Sequence, residues 1–174
     1  MKHIFVFDPD KCCACSACMV GCMDQNDINL ADGDQCYRKT FDNEIELADG
    51  DVYCAYLSTA CMHCTDAPCI AACPVGCLSK DPETGFTVYD NTNCIGCKSC
   101  AMACPFGAPR YRTSDGKMVK CDGCNERVKN GMQPACVRAC SFGALTCVTE
   151  EEYKASGSVK GCNVLIDQLR LRKK

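Results

Sequence analysis

Cys94-Ile95-Gly96-Cys97-Lys98-Ser99-Cys100-Ala101-Met102-Ala103-Cys104-Pro105 decides how the rest of the chain is read. Its spacing, C-x₂-C-x₂-C-x₃-C-P, is that of iron–sulfur cluster ligands. Three thiolates spaced three apart wrap one corner of a cubane. The fourth follows about one helical turn later, faces away and reaches a second cluster. Pro105 cannot continue a helix and ends the short one that carries these residues. One such run therefore implies two clusters and a partner run elsewhere.

Working outward, the chain supplies three partners. Upstream lies Cys61-x₂-Cys64-x₄-Cys69-x₃-Cys73-Pro74, with Asp66 and Pro68 in its longer middle gap. Near the N-terminus lies Cys12-x₂-Cys15-x₂-Cys18-x₃-Cys22, with Cys13 as an extra beside it. Downstream lies Cys121-x₂-Cys124-x₁₁-Cys136-x₃-Cys140, where Ser141 stands in place of proline. Sixteen ligand candidates are enough for four [4Fe–4S] clusters.

The connecting segments carry hairpin and helix signals. His3–Phe7 reads as a strand whose partner is Ala144–Thr149. Arg38–Leu47 and Val52–Thr59 flank Ala48-Asp49-Gly50-Asp51, and a D-G turn between alternating runs is a hairpin signal. Asp81-Pro82-Glu83-Thr84-Gly85 joins Cys77–Lys80 to Phe86–Tyr89. Ser114-Asp115-Gly116 joins Arg110–Arg112 to Met118–Lys120. Helices are expected over Ser16–Asn26 and within Asn125–Ala135, the latter ended by Asn130-Gly131.

Composition bounds the alternatives. The chain has 174 residues, of which 22 are cysteine; there is no Trp and aromatics are 7%. An ordinary apolar core is therefore thin, and cross-links must replace it. Zinc uses C-x₂-C knuckles but builds tetrahedral sites from two of them, with no use for a third cysteine at the same spacing and a fourth before proline. Cysteines three apart in tight loops make poor disulfides. His3 and His63 are read as non-ligands. Cys13, Cys36, Cys54, Cys77, Cys147 and Cys162 are read as small buried hydrophobes. Lys98, Arg110, Lys120 and Arg138 stand in or beside the motifs, where a positive charge would raise a cluster's reduction potential. A net charge of −3 argues against a nucleic-acid partner. No run approaches a membrane span. The N-terminus lacks a signal-peptide pattern, so a cytoplasmic location is expected, with export as passenger on a signal-bearing partner the alternative. No dinucleotide or phosphate-binding glycine pattern and no nucleophile–base pair is present, so the reading is a carrier of single electrons and not a catalyst.

With all four motifs placed, the chain resembles, over Ile4–Thr149, the four-cluster iron–sulfur subunits of DMSO-reductase-type molybdenum enzymes. The resemblance extends to Val52-Tyr53-Cys54-Ala55-Tyr56-Leu57-Ser58, Ala103-Cys104-Pro105-Phe106-Gly107-Ala108-Pro109 and Lys120-Cys121-Asp122-Gly123-Cys124. It implies an α+β, ferredoxin-like fold of two interleaved two-cluster units with short helices and hairpins. The outer unit is 1–35 with 113–150, the inner unit 61–112, a hairpin insertion 36–60 and a C-terminal tail 151–174. It also implies four ligand sets: Cys12, Cys15, Cys18 and Cys140; Cys22, Cys121, Cys124 and Cys136; Cys61, Cys64, Cys69 and Cys104; Cys73, Cys94, Cys97 and Cys100. The implied partner is a large molybdopterin- or tungstopterin-containing catalytic subunit, with room for a further redox subunit. The tail after Thr149 is short for the family, which weakens the case for a membrane-anchored reductase. The alternative is a free-standing polyferredoxin that serves several enzymes.

Overall fold

The computed structural model describes residues 2–46 and 49–156. Strand β1 (His3–Phe7) pairs antiparallel with β8 (Leu145–Thr149), from His3 opposite Thr149 to Phe7 opposite Leu145. Between these ends lie three two-stranded ribbons: β2 (Lys39–Glu46) with β3 (Val52–Thr59), β4 (Leu78–Lys80) with β5 (Thr87–Tyr89), and β6 (Arg110–Tyr111) with β7 (Met118–Val119). The helices are short: α1 (Ala17–Gln25), α2 (Pro68–Ala71), α3 (Ser99–Ala103), α4 (Asn125–Lys129), α5 (Ala135–Arg138) and α6 (Glu150–Ser156). Among the described residues no helix is long and apolar enough to cross a membrane.

Turn chemistry sets the ribbons. In the β4–β5 turn the Asp81 carboxylate accepts from the Glu83 and Thr84 N–H groups, both at 3.0 Å. This is the Asx geometry that makes aspartate a turn residue. In the β6–β7 turn Asp115 does the same for Lys117 N–H at 3.0 Å. Leu47 and Ala48, which fall between β2 and β3 in the sequence, lie outside the described residues.

Element ends differ from the sequence reading by one or two residues. Helix α1 starts at Ala17 because Ser16 takes φ +62°, outside helical space. It ends at Gln25, where the Asn26 side-chain amide donates to the Cys22 carbonyl at 2.7 Å. Residues 150–156 are helical, in a stretch that reads as tail from the sequence. Thr149 Oγ1 accepts from Glu152 N–H at 3.2 Å, and the Glu152 carboxylate accepts from Thr149 N–H at 2.8 Å. That is a capping box, present in the sequence as Thr149-x-x-Glu152.

The interior is divided and half made of thiols. One apolar group contains Cys22, Tyr37, Val119, Cys121, Cys136 and Leu145; the other contains Cys69, Leu78, Cys100 and Met118. Helix α1 packs on α5 so closely that a Cβ on Gly21 would sit 2.9 Å from Ala139 Cβ. This contact draws the first and fourth cysteine motifs together. Helices α2 and α3 pack likewise and draw together the second and third.

Phe86, fully buried, stands between these halves. Its ring lies 4.7 Å from that of His63 and 5.5 Å from that of Phe5 on β1. The β4–β5 turn locks onto α4: Thr84 Oγ1 donates to Asn125 Oδ1 at 2.6 Å, Asn125 Nδ2 donates to Asp81 at 3.0 Å, and Lys129 pairs with Asp81 at 2.6 Å.

Candidate metal-cluster sites

Each cysteine motif bends by the same device. The residue before the second cysteine takes a left-handed conformation: Ala14 (φ +52°), His63 (+46°), Gly96 (+66°) and Gly123 (+79°). The backbone there turns back and presents successive thiols to one side. Glycine is the unstrained choice. At Gly123 it is required, since an added Cβ would lie 2.4 Å from the Phe86 ring.

A second device follows the distal cysteines. Cys73, Cys104 and Cys140 each lead into a turn in which the residue three later is a left-handed glycine: Gly76, Gly107 and Gly143. These glycines donate N–H to the cysteine carbonyls at 3.4, 3.2 and 3.1 Å. In the first two turns the next N–H aims at the cysteine sulfur: Cys77 N–H to Cys73 Sγ at 3.2 Å and Ala108 N–H to Cys104 Sγ at 3.4 Å. The departure at Ser141 leaves this turn unchanged, so the glycine and not the proline defines it.

Three cavities collect the thiols. One is lined by Cys73, Cys94, Cys97 and Cys100, with Cys77 and Tyr111. Another is lined by Cys61, Cys64, Cys69 and Cys104, with Lys120. A third is lined by Cys12, Cys15, Cys18 and Cys140, with Cys13 and Ser58. Cys22, Cys121 and Cys136 share the first apolar group, and the charge of Cys124 is felt at Cys22. Twelve of the sixteen candidates thus line three cavities, each drawing on two motifs, and the same apolar group that holds Cys22, Cys121 and Cys136 also packs against Cys18, Cys61 and Cys140.

Polar groups surround the sulfurs. Met118 N–H lies 3.3 Å from Cys94 Sγ, Tyr111 Oη 3.2 Å from Cys100 Sγ and Ser99 Oγ 3.5 Å from Cys97 Sγ. The Ser99 hydroxyl and N–H lower the Cys97 pKa. Burial, with Cys136 nearby, pushes the Cys22 thiol up to about 12, and burial raises Cys121 well above the usual thiol range. Such thiols keep their protons until a metal displaces them, so loading releases protons.

Two buried cations stand among the thiols. Arg38, only 4% exposed, donates to Ser58 Oγ at 2.9 Å, and Ser58 Oγ lies 3.3 Å from Cys18 Sγ. Its Nε has no hydrogen-bond partner among the described residues. Burial works to lower the Arg38 pKa, but the thiols of Cys136, Cys121, Cys18 and Cys22 outweigh it. Lys120, 1% exposed, donates to the Thr87 carbonyl, to the Cys121 carbonyl at 2.8 Å and toward Cys61 Sγ at 3.9 Å. Buried charges need partners, and anionic iron–thiolate groups fit both positions.

His63 accepts from Thr87 N–H at Nδ1, at 3.0 Å. That leaves its proton on Nε2, which lies 3.7 Å from Cys121 Sγ. Burial first, then Lys120, Lys80 and Arg38, hold its pKa well below the ordinary value. His63 is therefore a neutral donor to a cysteine sulfur.

Several sequence readings need correction. Cys13 and Cys54 are exposed, not buried: Cys54 lies on the open β2–β3 ribbon, and Cys13 on the outer turn of the first motif. Cys77 is buried among the core residues, as read, and also lines the cavity of Cys73, Cys94, Cys97 and Cys100. Cys162 lies outside the described residues. Of the four cations, Lys120 is buried, Arg110 is half-buried and donates to the Cys36 carbonyl at 3.5 Å, and Lys98 and Arg138 are exposed. Arg38 escapes sequence reasoning: it belongs to no motif, and only the β2–β3 ribbon brings it to the thiols.

Among the described residues no three His, Cys, Asp or Glu side chains converge as a single metal ion requires. Four motif cysteines line each of three cavities, and their sequence spacing is that of cubane ligands. Residues 52–150 match the family model described as 4Fe-4S dicluster domain. The sequence is 37% identical to the B subunit of anaerobic dimethyl sulfoxide reductase from Haemophilus influenzae over 158 residues, covering 88% of this chain and 77% of that protein. It is 39% identical over 164 residues to YnfG of Escherichia coli K12, a probable anaerobic dimethyl sulfoxide reductase subunit, covering 88% and 76%. The formate dehydrogenase iron-sulfur subunit of H. influenzae is 33% identical over 164 residues, covering 86% of this chain and 52% of its own length. This protein belongs to the 4Fe–4S dicluster family of iron–sulfur subunits, and its cofactors are [4Fe–4S] clusters.

Proposed function

We propose that this subunit conducts electrons through four [4Fe–4S] clusters, to or from a large molybdopterin- or tungstopterin-containing catalytic subunit. The ligand sets are Cys12, Cys15, Cys18 and Cys140; Cys22, Cys121, Cys124 and Cys136; Cys61, Cys64, Cys69 and Cys104; Cys73, Cys94, Cys97 and Cys100. One observation carries this: three separate cavities each gather four motif cysteines drawn from two motifs, with Cys77 a fifth in one and Cys13 a fifth in another. The pairing of β1 with β8 and of α1 with α5 supports an outer unit, residues 1–35 and 113–150, folded around an inner unit, 61–112. The names of the relatives, a dimethyl sulfoxide reductase subunit and a formate dehydrogenase iron-sulfur subunit, support a pterin-enzyme partner.

When bound, the clusters supply one-electron carriage. The protein's own residues do the rest. Sixteen thiolates bind and fix the spacing, since each distal cysteine ties its motif to the neighbouring site. The N–H groups of Cys77, Ala108 and Met118 direct their dipoles at cysteine sulfurs and favour the reduced state. Arg38 and Lys120 balance charge within the interior.

The test is anaerobic purification from the native cell without a tag, with iron and acid-labile sulfide counted and companions identified. About sixteen irons per chain, at four per cluster, and a large pterin-containing companion is the expected result. Sixteen irons without a companion would leave a free-standing polyferredoxin. Markedly fewer irons would overturn the four ligand sets, with the widely spaced fourth motif the first suspect.

A further inference from the structure

His63 immediately precedes Cys64, and Lys120 immediately precedes Cys121. Each reaches across the junction of the two halves to the other's ligand set: His63 Nε2 to Cys121 Sγ at 3.7 Å, and Lys120 Nζ to Cys61 Sγ at 3.9 Å. The arrangement is a reciprocal clasp. It joins the quartet containing Cys61 and Cys64 to the quartet containing Cys121.

Both side chains are held firmly. The His63 ring lies 5.8 Å from that of Phe5 and 4.7 Å from that of Phe86, and its Nδ1 accepts from Thr87 N–H. Lys120 has an acceptor for each of its three protons: two carbonyls and the Cys61 sulfur. Among the described residues no carboxylate pairs with it. A buried ammonium without a counter-charge is costly. Its counter-charge must come from the thiolate sets on either side: Nζ aims at the Cys61 sulfur and bonds the backbone carbonyl of Cys121, itself a member of the other set. An electron added beside a fixed cation in a water-poor interior is stabilised. An N–H donor to a ligand sulfur acts in the same direction.

We propose that this His63–Lys120 clasp raises the reduction potentials of the two clusters that meet at the junction relative to the outer two. His63 and Lys120 are then positioning residues that make the junction of the two halves the place where an electron comes to rest. The proposal rests on the four ligand sets given above.

The test is a potentiometric titration followed by EPR on anaerobically purified holoprotein, with iron counted in every sample. Lys120→Met should lower two of the four midpoints by about tenfold in the reduction equilibrium, which is about 59 mV for one electron, and leave the other two in place. His63→Phe keeps the stacked ring and removes both ring nitrogens. It should lower one of the same two midpoints, by a smaller factor. Lys154→Met, on exposed α6, should move none. Full iron content with all four midpoints unmoved in both variants would overturn the clasp. So would an equal fall of all four, which reports general loosening. If Lys120→Met fails to load iron, His63→Phe carries the decision alone. Wild-type protein with too little iron or too few signals would overturn the ligand sets themselves, a failure visible before any variant is made.

Discussion

Gly123→Ala isolates the steric demand at the centre of the molecule. The residue takes φ +79°, so any side chain there incurs the left-handed penalty of about 1–2 kcal/mol. In addition, the new Cβ would lie 2.4 Å from Phe86 Cδ2 and 2.7 Å from Cε2 and Cγ. Phe86 is fully buried against His63 and Phe5 and has nowhere to retreat. Overpacking of this kind costs about 1–3 kcal/mol. Gly131→Ala is the control: its φ is +71°, but nothing lies within 4 Å of the added atom. Cluster loss makes unfolding irreversible, so the comparison is made on rates at fixed temperature under anaerobic conditions, read from decay of the cluster absorbance. With tenfold in rate for each 1.36 kcal/mol, Gly123→Ala should decay roughly 5- to 150-fold faster than Gly131→Ala. Equal rates for the two variants would refute the claim that Phe86 is immovable.

Three further outcomes follow from contacts described above. Burial works to raise the Asp81 pKa, but Lys129 and the donors Thr84, Asn125 and Glu83 hold it below the usual carboxylate range. Its contribution is therefore full above the unfolded value of about 3.9 and is lost only as pH falls through the folded value. Asp81→Asn should lower stability at pH 7 by about 1–3 kcal/mol, measured by the same decay assay, and flatten its acid dependence. Ser141→Pro should be neutral or stabilise by up to about 1 kcal/mol, because Cys73–Gly76 and Cys104–Gly107 make the same turn with proline; a marked loss would show that the turns are not equivalent. Cys77→Ala should retain all the iron of the wild type by colorimetric assay. Loss of iron would make Cys77 a ligand of the cavity it lines.

The cysteine spacing is enough to place the loops, because each motif is a local instruction: a left-handed residue before the second cysteine, a helical turn after the third. The hairpins are legible from Asp and Gly in their turns. The α6 helix is legible too, in the Thr149–Glu152 capping box, within a stretch whose charge pattern alone reads as tail. The clasp is not. Lys120 can be seen beside a motif, but its burial depends on Thr87, 33 residues away, and on the packing of two halves that local sequence does not report. Arg38 is further still from any local signal. Its partner Ser58 sits across the β2–β3 ribbon, and its charge makes sense only beside thiols from the first and fourth motifs. The spare cysteines fail for the same reason, since composition says cysteine is often buried but not which face of a ribbon it takes.

The pairing of β1 with β8 has a consequence for biosynthesis. Strand β1, near the start of the described residues, is completed only by residues 145–149, about 140 residues later in synthesis. At roughly 5–20 residues per second, that is a wait on the order of ten seconds. Through that interval Cys12, Cys15, Cys18 and Cys22 are without the segment that carries Cys136 and Cys140. The second and third motifs, adjacent in the chain and joined through α2 and α3, need no such wait. Iron delivery in the cell should therefore follow translation order from the inside outward, and a nascent chain stalled before Leu145 should already carry the inner pair.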